Sequence, residues 1–179
     1  SSGIIAIDLR KDDRLVDVAI TDGEREIVLV ASSGKAIHFR EKDVRPMGRG
    51  AAGVRGIRLT AEHEVIALCV VSDGLLLSAT ENGYGKRTSV DEFPIQKRGG
   101  QGVIAIQTSA RNGRMVGALQ VREDDEIMLI SSNGTLVRTP ISEISIIGRN
   151  TQGVRLIRMK SDQRLVGLAR IAAIEDKED

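Results

Sequence analysis

Apolar residues along this chain come in runs of four to seven positions, most of them bounded by Gly, Asn, Asp or Ser. Val, Ile, Leu and Thr dominate the runs, which is the chemistry of strands and hairpins. No stretch keeps apolar residues at i, i+3, i+4 and i+7 over three turns between capping signals, so the pattern predicts no α-helix. The chain reads as all-β.

The pattern also repeats. Gly3, Gly53, Gly102 and Gly153 each precede an apolar-rich segment, at intervals of 50, 49 and 51 residues. Leu15-Val16, Val65-Ile66, Met115-Val116 and Leu165-Val166 follow in register, 50 residues apart each time. A turn glycine stands in Ser33-Gly34-Lys35, Asn82-Gly83-Tyr84 and Asn133-Gly134-Thr135, each time between two strand-like runs. Each unit is therefore predicted as four short strands. In the third unit these cover 103–107, 116–121, 126–131 and 135–139, followed by a loop over 140–152. Four strands in about fifty residues, repeated side by side, predict blades set around an axis. The units are 3–52, 53–101 and 102–152, with a partial fourth at 153–170. The expectation is an arc of four-stranded blades rather than a closed ring. An open arc leaves strand edges unpaired, which predicts dimerisation through them.

Composition narrows the function. Aromatic residues are 2% of the chain, namely Phe39, Tyr84 and Phe93, so base stacking on aromatic side chains has little to work with. Phosphate contact to a duplex is favoured over single-strand binding. The net charge is +1, but residues 171–179 hold Glu175, Asp176, Glu178 and Asp179 against Lys177. Without them the body has 25 basic and 21 acidic residues, a net +4. Residues 171–179 read as a disordered acidic tail, able to compete with DNA for a basic face or simply to aid solubility. Cys69 sits alone in the apolar run 65–70 and reads as a small buried hydrophobe in a reducing, cytoplasmic setting. No run reaches the ~18 apolar residues of a membrane helix, and no signal peptide is predicted.

Catalytic and metal chemistry find no constellation. His38 and His63 fall in different units, without a second His or Cys at ligand spacing. The acidic run 123–126 reads as a solvated hairpin, and Tyr84 as a turn-flanking aromatic. Anion-binding chemistry, in contrast, recurs. Gln96, Lys97, Arg98, Gly99, Gly100, Gln101 and Gly102 put two cations beside three glycines between two apolar runs. Glycine lets backbone N–H groups approach a phosphate, although a plain β-turn has the same composition. Arg49, Arg98 and Arg149 each stand four residues ahead of an anchor glycine. Lys35, Arg40, Lys86, Arg87 and Arg138 follow the turn glycines, and Arg55, Arg58, Arg155 and Arg158 lie on the anchor strands. Equivalent positions on successive blades face one way, so these cations are expected to form a discontinuous basic strip for a bent duplex, read without base contacts. The plainer alternative is ordinary outward-facing strand residues.

Several stretches closely resemble one family. They are Val44-Arg45-Pro46-Met47-Gly48-Arg49, 53–59 (GVRGIRL), 81–88 (ENGYGKRT) and 144–154 (ISIIGRNTQGV), and the likeness runs through Ala169. The family is the C-terminal domain of the A subunit of DNA gyrase, a type IIA topoisomerase. The resemblance implies a β-pinwheel whose blades exchange a strand with their neighbours and whose basic perimeter, including Arg45, wraps DNA for negative supercoiling. It implies no catalytic residue, metal or cofactor in this chain, with ATP and Mg used by other parts of the holoenzyme. Implied partners are double-stranded DNA, the gyrase B subunit, and the remainder of the A subunit. The family's heptapeptide is QRRGGKG; here Lys97 and Gln101 replace an Arg and the Lys, which removes a bidentate fork and a charge. The match lies in a middle unit, so the chain is expected to be the later blades. Rival expectations are the equivalent domain of topoisomerase IV, against which Gln96 and Gly99-Gly100 argue, and a blade scaffold for an acidic protein partner.

Overall fold

The computed structural model describes residues 3–60 and 62–173, and among them no α-helix occurs. Three hairpins form the frame: β1 (Glu26–Ala31) with β2 (Lys35–Arg40), β4 (Leu75–Thr80) with β5 (Tyr84–Ser89), and β8 (Glu126–Ser131) with β9 (Leu136–Pro140). Each turns at a glycine in the left-handed region, Gly34, Gly83 and Gly134, with φ between +81° and +83°. A single 3₁₀ turn follows each hairpin, at Glu41–Asp43, Val90–Glu92 and Ile141–Glu143.

The remaining strands cross between units. β3 (Val65–Val70) and β6 (Val103–Ile104) flank the first hairpin, giving the order β3-β1-β2-β6. β7 (Met115–Val121) and β10 (Val154–Arg155) flank the second in the same way, as β10-β5-β4-β7. Among the described residues the third hairpin pairs only with β11 (Leu165–Ile171), which leaves β9 without a second neighbour there. The sequence placed four strands of one unit in one blade. Here each complete sheet draws strands from three successive units, and the third sheet has three strands, not four. The anchor segment at 103–107 contributes only two residues of ladder. In the first unit the apolar residues Ile4, Ile5, Val18 and Ile20 join no strand and stand exposed. The counterparts of Val18 and Ile20 pair with the hairpin of the preceding unit, and the anchors at Val103 and Val154 with the hairpin two units back; the described residues contain no earlier hairpin for the first unit to join.

The core lies between the sheets. Val28, Val30, Ala67 and Cys69 of the first sheet meet Leu76, Met115 and Ala118 of the second. Leu77, on the opposite face from Leu76, meets Ile127, Leu129 and Leu165 of the third. The second sheet is thus buried on both faces, which is why β4 opens as a continuous Leu-Leu-Leu run instead of alternating. Cys69 is 6% exposed, and burial pushes its thiol up to about 11. The outer face of the first sheet is open: Ile27, Leu29, Phe39, Met47, Val54 and Leu68 line a groove of about 860 Å³. Ile171 ends β11, and the acidic residues of the expected tail lie outside the described residues.

Candidate nucleic-acid interface

The glycine-rich loop at 96–102 is an excursion from the edge of β2. The Gln96 N–H donates to His38 O at 2.7 Å before the loop, and Val103 pairs with Ala36 after it. Gly102 has φ +68°, and a Cβ there would stand 2.2 Å from the Ala36 carbonyl oxygen. Its missing side chain therefore lets the anchor strand close on β2. Gly153 repeats this against Gly85 at 2.7 Å. Composition alone suits this glycine to a phosphate; packing against the sheet already requires it. Gly99, at φ +82°, donates its N–H to Gly56 O.

Arg98 bonds to backbone. Its Nε donates to Asp43 O at 2.9 Å and its Nη1 to Arg55 O at 3.0 Å. Arg149 does the equivalent, donating from Nη1 to Ile104 O at 3.0 Å, while its own N–H reaches Glu92 Oε2 at 2.8 Å. Each arginine staples its loop to the second residue of the preceding anchor, and both are half-buried. On the segments tied by Arg98, Arg45, Arg49, Arg55 and Lys97 are exposed. Lys35 is half-buried, its Nζ 3.4 Å from the Gln101 side-chain oxygen.

Two expected strip residues are corrected. Lys86 is 0% exposed and donates from Nζ to Gly148 O at 2.6 Å, Thr151 Oγ1 at 2.9 Å and Arg149 O. Burial pulls its pKa down to about 8, partly opposed by Glu92. Arg87, 3% exposed, bonds Ile144 O at 2.7 Å and pairs with Glu123. The loop from the next unit crosses β5 and covers both; strand alternation carries no sign of that cover. Arg138 is exposed but bound to Glu126. The acidic run is corrected too: Asp125 is 2% exposed and takes Arg170 Nε at 2.6 Å and the Arg122 N–H at 2.6 Å. Burial works against its ionisation, but these hydrogen bonds outweigh it and hold the carboxyl below its usual range. Arg155 stands apart from the loop, donating to the Tyr84 hydroxyl at 2.8 Å.

The family model described as DNA gyrase C-terminal domain, beta-propeller, matches residues 1–22, 25–72, 74–122 and 125–172. The chain belongs to that family. The matched blocks begin at each hairpin instead of at the anchor glycine, so block 25–72 supplies β1, β2 and β3, and block 74–122 lends β6 to its sheet. The A subunit of DNA gyrase from Pseudomonas aeruginosa is 53% identical over 96% of the chain, and its counterpart from Escherichia coli K12 is 51% identical over all of it. The chain spans about a fifth of the length of these relatives. Among solved structures, a DNA gyrase A C-terminal domain superposes with a TM-score of 0.87 at 29% identity, over 95% of this chain and 58% of that one. The C-terminal domain of DNA topoisomerase IV gives 0.87 at 27%, over 93% and 52%. Family membership makes the fold a β-pinwheel, and the strand lent between blocks is how its sheets interlock.

Proposed function

We propose that this chain is a DNA-wrapping portion of a gyrase A subunit, binding duplex DNA by its phosphates without reading base sequence. The observation that supports this best is the group Arg45, Arg49, Arg55 and Lys97, exposed on the segments that Arg98 ties together through Asp43 O and Arg55 O. Fixed backbone and free cationic tips suit phosphate contact, where affinity comes from counterion release. A scarcity of exposed aromatics removes the stacking route. In this reading the chain is non-catalytic. Cleavage and energy come from the other parts of a cytoplasmic, ATP-dependent topoisomerase, namely its B subunit with the remainder of its A subunit. The wrapped segment is passed to introduce negative supercoils. The topoisomerase IV domain fits the fold equally well, but the sequence relatives above are gyrase subunits.

The test is binding to a linear duplex of about 150 base pairs, near one persistence length, across a salt series. Changing Arg49, Arg55 and Lys97 together to Ala should flatten the slope of log K against log salt by about 2.7, at about 0.9 per phosphate contact. An unchanged slope would overturn the assignment of these residues and favour a protein partner for this face.

A further inference from the structure

At the turn end of the second sheet, Tyr84, Arg111, Arg155, Arg158, Lys160 and Arg164 line a cleft of about 330 Å³ with no carboxylate among its described lining residues. We propose that this cleft is a phosphate-binding site, engaging one or two phosphates of the duplex backbone at a point distinct from the glycine-rich loops. The assignment of the duplex as phosphate source rests on the function proposed above; the anion site itself does not.

The cleft is held open by contacts that aim its cations inward. The Gly83 turn is pressed against the chain at Ile157, where a Cβ would stand 2.5 Å from the carbonyl oxygen. The Leu156 N–H donates to Gly83 O at 2.8 Å, which sets the following Arg158 and Lys160 beside the turn. Asn82 Nδ2 donates to Arg111 O at 3.1 Å and so fixes the backbone of Arg111. The Arg111 guanidinium stands 4.5 Å from the Tyr84 ring centroid, and that of Arg155 at 5.4 Å. Such stacking holds a guanidinium without neutralising it. Hydrogen bonds from Arg155 and then Arg111 hold the Tyr84 phenol below its usual range. Arg164 Nη1 is oriented by Gln163 O at 2.8 Å and Ser161 O at 3.1 Å. Arg158 and Lys160 are exposed, and neither side chain has a partner among the described residues.

Folding alone does not demand this charge. In the first sheet the Gly34 turn is packed the same way, with Ala105 N donating to Gly34 O at 2.8 Å. There Gln107 and Ser109 occupy the places of Arg158 and Lys160. Like charges gathered in this way repel one another, and a bound polyanion relieves that. Arginine forks and an ammonium fit phosphate oxygens.

The probe is tripolyphosphate, titrated calorimetrically into the whole chain and into Arg158→Ala/Lys160→Ala. Both residues are exposed, so circular dichroism should report an unchanged fold. Wild type should bind at one site, and the double variant at least tenfold more weakly. Equal binding, or none, overturns the site. The double variant should also flatten the duplex salt slope by about 1.8. Lost tripolyphosphate binding with an unaltered slope would overturn the duplex and make a free polyphosphate the source. The Arg49, Arg55 and Lys97 variant reports on the loops independently, so failure of one reading leaves the other visible.

Discussion

Lys86 shows how far a single residue can depart from its place in a strand pattern. It lies among the cations after a turn glycine, expected on an exposed basic strip, yet it is sealed under the loop at 148–151. Its ammonium bridges three backbone carbonyls and a hydroxyl, one of them at the limit of 3.5 Å. A lysine whose folded pKa lies near 8 against an ordinary 10.5 binds fewer protons when folded than when unfolded, throughout that window. Stability contributed by this group therefore rises with pH from about 8 to 10.5. Thermal melts between those pH values should show wild type gaining relative to Lys86→Met, in which the group no longer titrates. Parallel curves would mean that the ammonium is not held at a lowered pKa. Arg98 and Arg149 are more mixed: sequence spacing found them, but it could not show that their guanidiniums bind carbonyls first.

At the scale of the element, the anchor glycines carry the pairing between units. Gly102 and Gly134 share a left-handed φ, +68° and +83°, but differ in surroundings. A Cβ on Gly134 would meet nothing within 4 Å, whereas one on Gly102 meets the Ala36 carbonyl at 2.2 Å. Gly134→Ala should lower stability by about 1 kcal/mol, the penalty of the left-handed region alone. Gly102→Ala should lose roughly 3 kcal/mol or more, because β6 must also separate from β2. Urea unfolding of the two variants measures the difference, and equal losses would contradict the close approach. The hairpins were legible as apolar runs around turn glycines, and in the third unit, expected at 126–131 and 135–139, the bounds fall within a residue. The exchange of β3, β6, β7, β10 and β11 was not legible from spacing, because a ladder leaves no mark of which hairpin it joins. Resemblance to the family implied that exchange instead.

For the whole molecule, the edge strands set the expected assembly. β6 covers β2 by pairing Val103 with Ala36, and β10 covers β5 by pairing Val154 with Gly85. Among the described residues β9 has no such cover, and its equivalent residue is Leu136, 60% exposed. Among the described residues the anchor at Val54 is likewise unpaired. Val54 of a second copy placed on Leu136 would continue the ladder in the same register and bring the open groove of the first sheet toward the third. Sedimentation velocity should show concentration-dependent, head-to-tail association, weakened about tenfold or more by Leu136→Lys, since a charge on an edge strand opposes pairing. A single monomeric species at high concentration would refute it.

Local rules made the all-β class, the turn glycines and the period near 50 readable from residues alone, because turn chemistry and strand propensity act between near neighbours. The segment 3–20 carries the same signals as 53–70 but forms no strand, since a strand requires a partner and pairing is not local. The same distinction governs the charges. That Lys86, Arg87, Arg98 and Lys97 are cations was plain from the sequence. Which of them face water was decided by loops from another unit, crossing β5 in one case and leaving Lys97 free in the other. The cleft around Tyr84 is likewise tertiary, gathering Arg111, Arg158 and Arg164 from segments that share no motif.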